Sequence, residues 1–139
     1  MKPYKLFILS FFILHTVWGQ YEENYTIDLE NGKLSGTLRL ADSIRQTPVL
    51  LIIPGSGPTD RNGNNPKMQN YSLKMLADSL AAHHISSLRI DKRGIGQSKL
   101  NDFKESDVRF DDFVSDAIRW TRKLQKDPRF TNVVIAGHS

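Results

Sequence analysis

The 139-residue sequence contains no cysteine. Disulfides, thiolate chemistry and lipid attachment at a processed cysteine are therefore excluded. A surplus of one charge is also lacking: 19 Lys and Arg stand against 15 Asp and Glu, a formal net charge of +4. No basic face is clustered enough for nucleic-acid binding, which is not expected. Internal repeats, low-complexity tracts and a second-domain linker are absent too. The extended apolar run Leu6–Val17 is shorter than the roughly 20 apolar residues that span a bilayer.

That short run defines the first thing present. Lys2 and Lys5 precede it, and Val17-Trp18-Gly19 closes it on a small residue, the pattern of a secretory signal peptide over residues 1–19. Cleavage would lower the basic count from 19 to 17 against 15 acids, leaving a net charge near +2. The remaining residues, 20–139, then form an exported protein, periplasmic or extracellular, with no stable membrane span. Export without disulfides fits a bacterial envelope.

Residues 25–29 alternate loosely and meet Asn31-Gly32, a hairpin signal. Residues 33–40 alternate cleanly, with Leu34, Gly36, Leu38 and Leu40 on one face and Lys33, Ser35, Thr37 and Arg39 on the other. This predicts an antiparallel hairpin with one wet face. Val49-Leu50-Leu51-Ile52-Ile53 is continuously apolar, as a central strand covered on both faces requires. Leu73, Met75, Leu76, Leu80 and Ala81 predict an amphipathic helix over 71–83. A short strand follows at 86–90, then a loop through Arg109. Phe110, Phe113, Val114, Ala117, Ile118 and Leu124 mark a second helix. Asp111 and Asp112 lie near its start and Arg122, Lys123 and Lys126 near its end, which suits the helix dipole.

The last strand, Val133-Val134-Ile135-Ala136, runs into Gly137-His138-Ser139. Gly-x-Ser after an apolar strand is how a nucleophile elbow begins, although the second glycine of G-x-S-x-G is not in the sequence. With Gly and Ser each near ~7% of residues, G-x-S arises about once by chance in such a chain. A second copy, Gly96-Gln97-Ser98, lies beyond its nearest apolar run and has Leu100 in place of the second glycine; it is not read as a nucleophile.

Alternating β and α elements with apolar central strands predict an α/β fold: a mostly parallel sheet, helices on both faces, and an antiparallel N-terminal hairpin. Ligands bind beyond the C-terminal strand ends of such sheets, where the loops at Gly55 and Asp91 and the turn at Ser139 should meet. Ile52-Ile53-Pro54-Gly55-Ser56-Gly57-Pro58, Arg89-Ile90-Asp91-Lys92-Arg93-Gly94-Ile95-Gly96-Gln97-Ser98 and Ala136-Gly137-His138-Ser139, in this order and spacing, resemble three successive landmarks of the α/β-hydrolase superfamily. The likeness is greatest to bacterial esterases and serine-aminopeptidase-like hydrolases with a G-S-G-P-x-D-R loop.

The resemblance implies the N-terminal part of a serine hydrolase acting on carboxylic esters through an acyl-serine intermediate. The alternatives are a peptidase or aminoacyl hydrolase of the same fold, or a non-catalytic binding protein that keeps the fold. The partner would be a small-molecule ester or amide, with no cofactor and no metal. Ser139 would be the nucleophile. One oxyanion donor would be the backbone N–H of Ser56, with Gly57 the alternative; the other belongs to the residue after the nucleophile. Gly55 and Gly57 suit close backbone approach to a ligand. Pro54 departs from the histidine often found in the family, which bears on side-chain orientation but not on the backbone donor.

Asp60, Arg61, Asp91 and Arg93 put opposite charges on two loops that should meet, either as an ion-pair network bracing the oxyanion loop or as solvated surface charges. Asp60-x-Asn62-x-Asn64 is not a calcium loop, because Asn65 replaces the required glycine and no closing glutamate follows. His83 and His84 fit a helix C-terminus. His138 and Ser139 are neighbours on a strand and so point to opposite faces, which makes His138 a poor general base. The acid and histidine of the family follow the serine in chain order, so both are expected beyond residue 139. By itself this piece is expected to be inactive, with its last strand an unpaired edge.

Overall fold

The structure, a computed structural model, describes residues 21–138. The stretch expected to be a signal peptide, residues 1–19, and the expected nucleophile Ser139 lie outside the described residues. Strands β1 (Tyr21–Leu29), β2 (Gly32–Leu40), β3 (Thr47–Ile53), β4 (Ser86–Ile90), β5 (Lys99–Leu100) and β6 (Phe130–Gly137) form one sheet in the order β1-β2-β4-β3-β6, with β5 pairing β2. β1, β2 and β4 pair antiparallel, whereas β3 runs parallel to both β4 and β6. Helices α1 (Ser72–Ala82) and α2 (Phe110–Gln125) connect β3 to β4 and β4 to β6. The α/β class expected from the alternation of elements is the class observed.

β3 is central because it has neighbours on both edges and helices over both faces. Val49, Leu51 and Ile52 are buried accordingly. On the α2 side, Val49 and Leu51 join Leu34, Leu38, Leu88, Trp120 and Leu124 in the main apolar core. Trp120 and Leu124 are four apart and so lie on one face of the helix.

Four features depart from the sequence expectation. First, β1 begins at Tyr21, and its polar half is held by the ladder to β2 and by ion pairs from Glu22 to Arg89 and Glu23 to Arg129. Second, the polar face of β2 is not wet: Ser35 and Arg39 are buried. The loop after β3 sends Arg61 onto Ser35 and Thr37, and Arg39 meets Asp78 of α1. Polar residues alternate with apolar ones here because they face a buried charged layer rather than water.

Third, the loop expected through Arg109 carries the two-residue β5 and a 3₁₀ turn, Glu105–Asp107. Fourth, the apolar residues of both helices do not all face the sheet. Met75 and Leu76 of α1 and Phe110, Phe113, Val114 and Ile118 of α2 are exposed, while α2 buries Asp116 beside Trp120 and Leu124. Val134 and Ile135 of the edge strand β6 are about half exposed.

At the opposite end of the sheet from the candidate site, Tyr25 donates to Asp127 (3.0 Å), which also accepts from Arg129 at 2.7 and 2.9 Å. Hydrogen bonding from Arg129 holds the Asp127 carboxyl below its ordinary range. A depressed folded-state pKa contributes stability above the unfolded value of about 3.9 and loses it as pH falls through the folded value. Asp127→Asn is therefore expected to narrow the gap between urea midpoints at pH 6 and pH 3. An unchanged gap would rule out this linkage.

Candidate active site

Three chain segments meet at the C-terminal ends of β3, β4 and β6. Ile53 pairs with Gly137, and the His138 N–H donates to the Ile53 carbonyl at 3.0 Å. The residue before Ser139 is thereby joined to the start of the loop containing Gly55, Ser56 and Gly57. A methyl group on Gly55 would lie 3.0 Å from both the Nδ1 and the carbonyl oxygen of His138, so glycine there permits the close approach of the two segments. Gly57 has open space around it, and its requirement is instead conformational, with φ at +78°, a region that L side chains rarely adopt. Gly55→Ala is expected to cost about 1–3 kcal/mol by overpacking, seen as a lower melting temperature. An unchanged temperature would mean that this approach is loose.

Neither the Ser56 nor the Gly57 N–H donates to any group among the described residues. Both residues are exposed, at the end of the sheet where ligands bind in this architecture. A cavity of about 480 Å³ opens beside them, lined by Ile53, Lys92, Ile95, Phe103, Phe110 and Phe113 along with the loop itself. It combines a predominantly apolar wall with backbone donors, a combination suited to an uncharged organic ligand.

The four charged residues of the two loops do not form one network. Arg61 and Asp91 do pair: the Arg61 backbone N–H donates to Oδ1 (2.8 Å) and its Nε to Oδ2 (2.9 Å). The pair is buried, Asp91 being 2% and Arg61 6% exposed. Asp91 Oδ2 also accepts the Gln97 N–H at 2.8 Å, so one carboxylate ties both loops together. Solvated surface charges do not describe these two residues.

Asp60 and Arg93 have other partners. Asp60 Oδ1 accepts the N–H groups of Asn62 and Asn64 within its own loop, at 2.8 and 2.9 Å. Arg93 turns to α2 and grips Asp116 through Nε and Nη2, at 2.6 and 2.8 Å, which raises its pKa. The expected meeting of all four charges is thus corrected to a single crossing pair. The reason lies in where β4 ends: a continuing strand would put Asp91 and Arg93 on one face, but β4 stops at Ile90 and the turn over residues 92–95 sends Arg93 toward α2 instead.

Ser98, of the second Gly-x-Ser, is fully buried. Its hydroxyl donates to the Asp91 carbonyl (2.8 Å) and accepts the Ser35 N–H (2.9 Å), a structural role. Asn62 extends the brace, because its carbonyl accepts the Leu73 N–H at the start of α1 and its side chain accepts from Arg89. The loop is therefore anchored from behind through Arg61 and Asn62. It is also held from the loop after β4 by Lys92, whose Nζ donates to the carbonyls of Gly55 and, at 2.7 Å, Gly57. Burial pulls the Lys92 ammonium below the ordinary lysine range. Sequence reasoning passed over Lys92; its place between Asp91 and Arg93, just past the end of β4, was the available signal.

The strand order and crossovers define the α/β-hydrolase fold. No family model and no curated protein matches the chain. Solved structures do match. The α/β hydrolase GrgF from Penicillium sp. sh18 is similar with a TM-score of 0.65 and 18% identity, over 84% of this chain and 37% of its own. Est1E from Butyrivibrio proteoclasticus, with ferulic acid bound, gives 0.64 and 21%, over 83% and 42%. XC6422 from Xanthomonas campestris, an α/β serine hydrolase without a lid, gives 0.54 and 26%, over 85% and 50%. The chain thus spans half or less of the length of these three structures.

Proposed function

We propose that the chain is the N-terminal part of an exported serine hydrolase that cleaves carboxylic esters through an acyl-serine intermediate. The observation that carries this reading is the pair of undonated N–H groups at Ser56 and Gly57, beside the end of the strand that leads into Ser139. Acyl transfer needs a nucleophile and preorganised donors for the oxyanion in one place. In this reading the Ser139 hydroxyl attacks the carbonyl carbon, and a histidine later in the chain takes its proton. The carbonyl oxygen, now negative, accepts the Ser56 N–H and that of the residue after Ser139. Collapse expels the alcohol, protonated by the same histidine, and water then repeats the sequence on the acyl-serine.

An ester is favoured over a peptide by the largely apolar cavity and by the similar structures, which include an esterase-class protein holding ferulic acid. The reading as a front part is supported by the exposed apolar strip on α2 and β6: Val114, Ala117, Ile118 and Ile135 line a groove of about 410 Å³. A following helix and further strands would cover it. Export rests on the pattern of residues 1–19.

The test is to express the full reading frame and assay p-nitrophenyl esters of short acids, with a fluorophosphonate probe to label the nucleophile. A burst of p-nitrophenol and a label on Ser139 are expected, with neither from the 139-residue chain alone. A full-length protein that neither hydrolyses esters nor takes the label would favour a binding protein with the hydrolase fold. Preferential cleavage of aminoacyl amides would point to the peptidase alternative.

A further inference from the structure

We propose that Lys92 is the positioning residue of the oxyanion hole, and that its two hydrogen bonds select the N–H of Ser56, rather than that of Gly57, as the fixed donor. This rests on the hydrolase reading above and deepens it. The Lys92 Nζ donates to two carbonyls of one loop, Gly55 and Gly57. An ammonium has three donors and no acceptor, so both contacts are oriented the same way, carbonyl oxygens toward the nitrogen.

Peptide geometry then decides which donor is held. The described residues contain no cis peptide bond, and in a trans peptide unit the C=O and N–H point in opposite directions. The Gly55 carbonyl shares its unit with the Ser56 N–H, so drawing that oxygen to Lys92 aims the Ser56 N–H away from the ammonium. The Gly57 carbonyl shares its unit with Pro58, which has no N–H to aim. The Gly57 N–H belongs to the unit between Ser56 and Gly57, whose carbonyl accepts from no group among the described residues. Two contacts from one side chain therefore fix the orientation of a single free donor.

The charge acts in the same direction. A cation at the oxygen end of a peptide unit polarises it and strengthens its N–H as a donor. Phosphate or a carboxylate is not implied as a ligand, because Lys92 spends its donors on backbone. The ammonium reaches the oxyanion only through the peptide, which makes Lys92 a positioning residue and not a catalytic one. Arg61 and Asp91 hold the rear of the loop at residue 61, six residues from Gly55; Lys92 acts at the glycines themselves.

The experiment compares Lys92→Met, Lys92→Gln and Lys92→Arg in the full-length protein. For an ester substrate, Lys92→Met should lower kcat by about 10–100-fold, less than the 10²–10³ typical of deleting a donor outright, with KM within about twofold. Affinity for an arylboronic acid, which forms a tetrahedral adduct on the serine, should fall in parallel with kcat. Lys92→Arg should recover most of both, and Lys92→Gln should fall between. The NMR order parameters of the Gly55, Ser56 and Gly57 amides should fall in Lys92→Met while the melting temperature moves little. If Lys92→Met fails to fold, Lys92→Gln carries the comparison. Wild-type kcat and boronate affinity in a folded variant, or a loss confined to KM, would overturn the proposal. A wild-type protein without esterase activity or Ser139 labelling would instead sink the hydrolase reading on which the proposal stands, whatever the order parameters show.

Discussion

Ser139→Ala in the full reading frame is expected to lower kcat for ester hydrolysis by about 10⁴-fold or more, with KM nearly unchanged. Triad nucleophiles act as part of a unit, and their removal leaves only the acceleration supplied by the oxyanion donors and by binding. In the proposed reading substrate would bind in the cavity beside Ser56, whose described lining does not include the hydroxyl. The informative control is Ser98→Ala, which alters the other Gly-x-Ser. Ser98 has its hydroxyl committed to the Asp91 carbonyl and the Ser35 N–H. Its removal leaves a buried donor unsatisfied, at a cost of about 1–3 kcal/mol. Ser98→Ala should therefore lower the melting temperature and keep the fluorophosphonate label, while Ser139→Ala should do the reverse. A Ser139→Ala protein with wild-type turnover would remove Ser139 from the mechanism.

Asp91→Ala is expected to destabilise the protein by about 3–5 kcal/mol, because it leaves the Arg61 guanidinium buried without its counter-charge. The loss is a large share of the 5–15 kcal/mol by which folded domains are stable. It extends beyond the ion pair, since the Asp91 carboxylate also accepts the backbone N–H groups of Arg61 and Gln97. Both loops at the candidate site would loosen together. Asp91→Asn keeps one acceptor oxygen without the charge and should lose less. Urea denaturation of the variants provides the measurement, and a midpoint for Asp91→Ala equal to wild type would mean that the loops are held by something else. Arg61→Ala should also destabilise, less severely if water reaches Asp91. Activity lost with full stability retained would not fit a buried brace.

The main elements and the site loops were legible in the sequence where the pattern is local. Val49–Ile53 is apolar at every position, and only a strand with cover on both faces requires that. The Gly-Ser-Gly-Pro loop follows that strand directly, and Gly-His-Ser follows another, so their proximity needs nothing more than a parallel sheet. The second Gly-x-Ser was separable for the same reason, because Ser98 stands too far past β4.

What escaped the sequence depended on partners remote in the chain. The alternation in β2 is identical whether Ser35, Thr37 and Arg39 face water or a buried charged layer. Only the arrival of Arg61 from the next loop and Asp78 from α1 distinguishes the two. The apolar residues of α2 gave its helical character and not its orientation, since sheet-facing and outward-facing apolar stripes have the same period. The pairing of Asp60, Arg61, Asp91 and Arg93 was likewise open, because opposite charges on two loops admit several pairings and only the path of each backbone chooses among them.

Gly55 and Gly57 were identifiable by type as positions of close approach or unusual conformation. Their actual difference, packing against His138 for one and a positive φ for the other, required coordinates. By itself, then, the sequence determined the α/β class, the order of the strands along the chain and the end of the sheet at which the glycine-rich loops gather. These follow from periodicity and turn chemistry, which act over a few residues. The tertiary structure decided which carboxylate braces the loop, that Lys92 holds its carbonyls, and which peptide unit is left with a free, oriented N–H. Hydrogen bonds and ion pairs across 30 or more residues are set by the packing of the sheet, and no local pattern encodes them.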